Sequence, residues 1–306
     1  MIHKPVLTKE IIQYLKIKKD GTYVDCTFGG GGHSKAILQE LGVNGKLYSI
    51  DQDPQSIKIG KKIKDSRFKI FLGKFSNIEK ILKKEKNRDK IDGILLDLGI
   101  SSIQLNSSIR GFSFMNDGPL DMRMNPKSGI SVSQWLKKTN QKTIEQVIKN
   151  FGEEKYAKKI SRAIILQIKK KTITSTLELV QIIKKSIPKY DKFKHPATRT
   201  FQAFRIYINQ EINELHKILK IIINILHSGS KIAIISFHSI EDRIVKNFIK
   251  NYSNYPNIPK KLPITELQIR KIKKKIRFIK RIKPNISEIQ KNPRARSAIL
   301  RICEIR

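Results

Sequence analysis

Gly29, Gly30, Gly31 and Gly32 stand in a row between a β-branched, aromatic run, Thr22-Tyr23-Val24-Asp25-Cys26-Thr27, and a helical stretch from Ser34 to Leu41. A glycine loop between strand and helix lets backbone N–H groups approach a ligand at the helix's positive end. An anionic or zwitterionic ligand is expected there. Three more groups fall at the ends of later apolar runs: Asp51, Phe75 and Asp97. Their types suit a nucleoside, with a carboxylate for ribose hydroxyls, a ring to flank a base, and a second carboxylate near a reacting centre.

Neither Gly45-Lys46 nor Gly73-Lys74 is followed by Ser or Thr, so the phosphate loop of nucleotidases is excluded. A dinucleotide remains open, because Asp51 lies roughly 20 residues beyond the glycines, where a ribose acceptor belongs. Two details favour S-adenosylmethionine: Asp25 precedes the loop, placed to accept from a methionine amine, and the later glycine of dinucleotide fingerprints is missing. His3, His33, His195, His216, His227 and His238 form no H-x-x-x-H or H-x-E pairing, so no metal is expected.

The elements that must position these groups follow a β-α-β-α rhythm. Strands are expected at Thr22–Thr27, Lys46–Ile50, Phe68–Leu72 and Ile91–Leu98, with a helix from Pro54 to about Lys64 and Thr8 as N-cap of an opening helix. Continuously apolar strands imply a parallel sheet covered on both faces. From Ser107 to Tyr207 the rhythm stops, leaving polar turns such as Asn116-Asp117-Gly118-Pro119 and helical stretches at Glu153–Lys170 and Leu177–Ser186. It resumes with Ile212, Leu215, Leu219, Ile222 and Leu226 on one helix face, a strand Lys231–Ser236, a helix Ile240–Ile249 and a closing strand Ser297–Glu304. The expected organisation is a sheet domain from 1–106 and 210–306, interrupted by a helical insert at 107–209 that helps to hold RNA.

Composition sets the outer bounds. Over 306 residues, 63 Lys and Arg against 26 Asp and Glu leave a formal charge of +37, which favours polyanionic partners over small neutral metabolites. Part of that surplus is equally well explained by an Ile- and Lys-rich bias of coding. Lys260–Lys283 is the most basic stretch, with Glu266 its single acid, and is expected to contain a loop and one edge strand. Two cysteines, Cys26 and Cys303, read as core residues in a reducing compartment. No run of residues is apolar enough for a membrane span and no leader is evident, so the chain is read as cytoplasmic and without a membrane partner.

Longer words then narrow the field. Asp25-Cys26-Thr27-Phe28-Gly29-Gly30-Gly31-Gly32-His33-Ser34, Ile50-Asp51-Gln52-Asp53-Pro54, Leu95-Leu96-Asp97-Leu98-Gly99-Ile100-Ser101-Ser102 with Gln104, Arg110-Gly111-Phe112-Ser113-Phe114-Met115 and Gly118-Pro119-Leu120-Asp121-Met122-Arg123-Met124 resemble the small-subunit ribosomal RNA methyltransferase H family. So do Lys194-His195-Pro196-Ala197-Thr198-Arg199-Thr200-Phe201-Gln202-Ala203, Ser236-Phe237-His238-Ser239-Ile240-Glu241-Asp242-Arg243 and Asn292-Pro293-Arg294-Ala295-Arg296-Ser297. The resemblance implies an α/β, class I S-adenosylmethionine-dependent methyltransferase (Rossmann-like) sheet with an inserted all-helical domain. It also implies methylation of N4 of a cytidine in the decoding region of 16S rRNA, within the small ribosomal subunit. Matching positions place Gly31, Gly32, His33, Asp51, Phe75, Asp97 and Gln104 at the cofactor.

The amine of cytosine is a poor nucleophile until acceptors hold its hydrogens, so positioning and electrostatics carry such a reaction. Many amino-methyltransferases place an acid or amide, two prolines and an aromatic residue after the fourth strand. Here that place reads Asp97-Leu98-Gly99-Ile100, and Asp97 is open to two roles, against the amine or against the cofactor. Stacking on the target base, worth ~1–3 kcal/mol, is assigned to Phe112, Phe114 or Phe237. RNA phosphates are assigned to Arg110 and Arg123 near the site mouth, to Lys194 and Arg199 on the insert, and to the 270–283 stretch. A DNA amino-methyltransferase and a non-catalytic ribosome-assembly factor are the alternatives.

Overall fold

A computed structural model describes residues 5–85, 91–189, 194–253 and 274–306. His3 and residues 254–273, which include most of the basic stretch, lie outside the described residues.

Seven strands form one sheet in the order β3-β2-β1-β4-β5-β7-β6. They are β1 (Thr22–Asp25), β2 (Lys46–Asp51), β3 (Phe68–Leu72), β4 (Ile91–Asp97), β5 (Leu226–Ser236), β6 (Ile276–Ile282) and β7 (Ile299–Ile305). β1 to β5 run parallel, whereas β7 pairs antiparallel with both β5 and β6. Because β1 lies between β2 and β4, the strand order reverses there, and the crevice outside the carboxyl ends of β1 and β4 is where an open sheet of this kind takes its ligand.

Burial explains why the strands read as apolar runs. In β4, Ile91, Ile94, Leu95 and Leu96 are all fully buried, and in β5 Ile232, Ala233, Ile234 and Ile235 are too. Each face of the sheet has its own core. One is built around Ile218, Ile222 and Val245 from α11 (Glu211–Ile225) and α12 (Ser239–Ser253), and the other around Ile11, Leu15 and Ile37 from α1 (Thr8–Leu15) and α2 (Gly32–Glu40). Cys26 and Cys303 are both buried in the first of these cores.

β5 starts five residues before the expected Lys231. Leu226 pairs with Ile91 and Lys231 with Gly93, so four residues bulge out opposite one, and Ser230 Oγ donates to the Ile91 carbonyl at 2.7 Å. Thr8 is not the N-cap of α1. Leu7 takes that place in a left-handed conformation (φ 55°), and Thr8 Oγ1 instead donates to the Pro5 carbonyl at 2.9 Å.

The chain divides into two compact units, 1–99 with 214–306, and 100–213. The breaks fall after Gly99 and Asn213 instead of after 106 and 209. Ile100 and Leu105 pack against the insert's own core, which carries α5 (Ser102–Asn106) into the second unit. That unit contains α6 (Val132–Lys138), α7 (Gln141–Gly152), α8 (Ala157–Lys170), α9 (Thr176–Ser186) and α10 (Thr198–Asn209) around Trp135, Ile148, Ile164, Ile183 and Phe204. Its one described β-bridge joins Pro119 and Ser175.

Candidate active site

β1 delivers the chain into the glycine loop, which is held by short backbone bonds. Gly31 N–H donates to the Phe28 carbonyl at 2.7 Å, and Phe28 N–H to the Ile50 carbonyl at 3.1 Å. Gly29 (φ 55°) and Gly31 (φ 79°) adopt the left-handed conformation that favours glycine. A Cβ on Gly31 would lie 2.5 Å from Phe28 Cζ, and one on Gly32 2.7 Å from Pro5 Cγ. α2 begins directly after this turn and has no side-chain cap, so its first N–H groups remain available at the positive end of the helix.

Asp51 ends β2 and is tied to the same loop. Its Oδ2 accepts from Gly29 N–H at 2.7 Å and its Oδ1 from Asp53 N–H at 2.8 Å. Burial nevertheless pushes its carboxyl up to about 6, with those backbone bonds and a bond from Ser56 opposing the shift. Three donors on a carboxylate with about four acceptor sites leave one site for a further donor.

Asp97 ends β4, and its N–H donates to Thr27 Oγ1 at 2.7 Å. His33 Nε2 lies 3.5 Å from Asp97 Oδ2, with the ring only 5% exposed. His33 Nδ1, His33 Nε2 and Asp97 Oδ1 are buried and lack a hydrogen-bond partner among the described residues. Buried polar atoms are nearly always paired, so three orphans together on the carboxyl rim of the sheet mark a place for a polar ligand.

Asp25 lies near that place, with the charges of His33 and Asp97 both acting on its carboxyl, but its own oxygens are already engaged. It is fully buried, its Oδ1 accepting from Thr27 N–H at 3.1 Å and its Oδ2 from Ser34 Oγ at 2.6 Å. Desolvation raises its carboxyl above the usual range. Ser34 Oγ also lies 2.8 Å from Ser49 Oγ, so Asp25 ties β1 to α2 and, through Ser34, to β2.

Two aromatic residues stand on the same rim. Phe75 opens a single 3-10 turn after β3 and is half-buried against the core that contains Ile78 and Leu82. Phe237 follows β5, half-buried, and a Cβ on Gly99 would lie 3.7 Å from its Cδ2. Its N–H donates to Glu241 Oε2 at 2.9 Å, and the other oxygen of Glu241 is 3.0 Å from His238 Nε2. Asp242 makes a two-bond pair with Arg301, at 2.9 and 3.0 Å, which pins the start of α12 to β7 and holds the Asp242 carboxyl below its usual range against the cost of burial.

The remaining expected residues belong to the helical unit, and most have structural work there. Gln104 Oε1 accepts from Ser101 N–H at 3.0 Å while Ser101 Oγ accepts from Gln104 N–H at 3.2 Å, the reciprocal cap of α5. Arg110 is corrected from a phosphate ligand to an internal clamp. It is 5% exposed, and its Nη2 donates to the carbonyls of Arg123 and Met124 at 3.0 and 2.8 Å. Arg123 is likewise engaged, with Nε and Nη2 each 2.7 Å from the Asp121 carboxylate and Nη1 on the Gly129 carbonyl at 3.2 Å.

Phe112 is 5% exposed within the insert's core, so no base can stack on it. Phe114 is stacked on His195 with ring centroids 4.7 Å apart, and Phe201 meets it edge-on at 5.6 Å. Lys194 is exposed and Arg199 is half-exposed, 3.8 Å from Glu154; both line a cleft of about 330 Å³ with Lys155, Tyr156 and His195.

The sequence pattern of the MraW methylase family matches residues 1–306. The chain belongs to that family. A ribosomal RNA small subunit methyltransferase H of Buchnera aphidicola subsp. Cinara cedri (strain Cc) is 62% identical over 306 residues, all of both chains. One from Buchnera aphidicola subsp. Baizongia pistaciae (strain Bp) is 58% identical over 304 residues, 99% of this chain and 96% of that one. This MraW-family methylase therefore has the class I, Rossmann-like methyltransferase sheet with a helical insertion, and its methyl donor is S-adenosylmethionine.

Beside these residues the structure places two that the linear pattern did not single out, Ser49 and Glu241. Ser49 reaches Ser34, which in turn bonds Asp25, because β1 and β2 pair Asp25 with Ser49, a register that no local word encodes. Glu241 left a signal: an acid four residues after Phe237, within the first turn of a helix, is placed to accept a backbone N–H.

Proposed function

We propose that this methylase transfers a methyl group to N4 of a cytidine in the decoding region of 16S rRNA, with the small ribosomal subunit in the cytoplasm as its partner. The likeness to methyltransferases named for small-subunit ribosomal RNA supports the substrate class. The observation that carries the chemistry is Asp97, whose backbone is fixed by Thr27 and whose Oδ1 is buried without a partner among the described residues.

S-adenosylmethionine, when bound, supplies a methyl group on a sulfonium centre. Gly31, Gly32 and His33 would receive its amino-acid end, Asp51 its ribose hydroxyls and Phe75 its adenine, with Asp97 and Gln104 completing the set carried over from the family's pattern. The fit rests on the orphaned atoms of His33 and Asp97 and on the tight glycine turn, which leaves room for backbone only. Asp97 then has one oxygen toward His33 and one able to accept an amine hydrogen, which lets nitrogen pyramidalise. Phe237 offers a ring face where other amino-methyltransferases carry an aromatic side chain after the fourth strand.

Labelled methyl transfer to small subunits, naked 16S rRNA and DNA, followed by mapping of the modified nucleotide, tests this function. Label at a cytidine N4 in the small subunit is expected, and its loss in D97N. Label on DNA, or on a ring carbon of the RNA, would overturn it.

A further inference from the structure

We propose that the groove between α8 and α9 is a docking surface for an RNA backbone. The proposal rests on the RNA reading above and adds a face that none of the residues already discussed occupies. On α8, Lys159, Arg162, Ala163, Leu166, Gln167 and Lys170 recur at three- and four-residue steps and form one stripe. The opposite stripe, Ile160, Ser161 and Ile164, is buried in the insert's core. From α9, Ile182, Lys185 and Ser186 complete the groove, while Leu179, Val180 and Ile183 point inward.

Three features separate this groove from an ordinary solvated face. α8 carries five cations and no acid, and no acid lines the groove. Exposed helix faces usually mix signs at i,i+4, where opposite charges support each other. Lys159, Arg162, Lys170 and Lys185 have no ion-pair partner among the described residues, unlike nearby Lys171, which pairs with Glu178. The floor between the cations is apolar, formed by Ala163, Ile182 and Leu166, and Leu166 is 52% exposed.

The cleft measures about 360 Å³. The stripe from Lys159 to Lys170 runs about 16 Å along the helix axis, long enough to follow several phosphates of one strand. Cations on the rim suit phosphates, and the apolar floor suits the flat sides of ribose and unpaired bases. An RNA strand accounts for both features; a single small anion would leave the floor uncovered.

The test is a triple substitution, K159Q/R162Q/K185Q, because glutamine retains helix propensity while removing charge. Its control, K220Q/K246Q/K250Q, removes the same charge from exposed positions on α11 and α12. Binding of 16S rRNA is measured across a salt series, together with steady-state methylation of small subunits and calorimetry with S-adenosylmethionine. The groove variant should bind RNA about tenfold more weakly at low salt, with its salt slope shallower by about 2. Its KM for small subunits should rise, while kcat at saturation and donor affinity stay at the parent's values.

Equal losses in the control would assign the effect to overall charge and overturn the groove proposal. So would unchanged binding in the groove variant, or a loss confined to anionic phosphatidylserine vesicles. If the parent itself neither binds nor methylates RNA, the proposed function fails instead, independently of the groove.

Discussion

At the scale of single residues, the donor loop and Asp51 make opposing demands that substitutions can separate. Gly31 combines a φ of 79° with a would-be Cβ 2.5 Å from the Phe28 ring, whereas a Cβ on Gly73 would meet only Asn77 Nδ2 at 3.8 Å. G31A should therefore cost about 1–3 kcal/mol of stability and abolish donor binding by calorimetry, while G73A leaves both near the parent. Asp51 supplies a pH signature. Its carboxyl titrates at about 6 when folded, against roughly 3.9 for an unfolded aspartate. A raised carboxyl contributes stability that is present below the unfolded value and lost as pH rises through the folded one. Between pH 4 and 6.5 the donor-free parent should lose on the order of 2–3 kcal/mol relative to D51N, by denaturant melts across pH. Donor affinity should move the other way, because ribose hydroxyls donate best to the ionised form. It should fall below pH 6 in the parent and be flat in D51N. Arg110 and Arg123 show what a residue type alone hides. Each is cationic beside glycine-rich turns, but orientation decides its use, and both are turned onto carbonyls and Asp121.

At the scale of elements, the rhythm of strands was readable because each parallel strand is buried on both faces and so appears as an unbroken apolar run. Phe68–Leu72 has the same limits in sequence and structure, and β4 differs by one residue. Legibility failed where backbone geometry replaced side-chain pattern. The β5 bulge at residues 227–230 contains Gly229 (φ 88°) and exposed Ser228, which interrupt the apolar run although the strand continues through them. The words around Arg110 and Gly118 looked like site residues but are close backbone contacts: a Cβ on Gly111 would lie 2.1 Å from the Pro119 carbonyl, and one on Gly118 2.0 Å from that of Ser108. Helix starts in the insert obey local rules. Ser175 caps α9 through a reciprocal bond with Glu178, whose carboxyl is held low chiefly by the N–H groups of Thr174 and Ser175. S175A should destabilise the insert by about 1 kcal/mol. The fluorescence of Trp135, the chain's single tryptophan and part of the insert's core, follows that change directly. T8A should cost less, because Thr8 only bonds the Pro5 carbonyl and caps nothing.

At the scale of the whole molecule, the chain carries a separate reporter in each unit. Trp135 belongs to the helical unit, whereas Cys26 and Cys303 are 2% and 1% exposed in the sheet unit. Burial pushes the Cys26 thiol well up and the Cys303 thiol to about 12, so neither reacts until the sheet opens. Cys26 sits between β1 and the glycine loop, with its N–H on the Leu95 carbonyl at 2.9 Å, and exposing it disrupts the residues assigned to the donor. A ligand that binds only the closed form stabilises it by about 2.7 kcal/mol at 100 times its Kd, equal to ~100-fold in the open population. In C303A, where Cys26 alone reports, saturating S-adenosylmethionine should slow thiol labelling by about that factor. A rate unchanged by a donor that calorimetry shows to be bound would mean that the donor sits away from the turn between β1 and α2. The same result would remove Gly31, Gly32 and His33 together from the donor site. The three orphaned atoms of His33 and Asp97 would then need a different ligand.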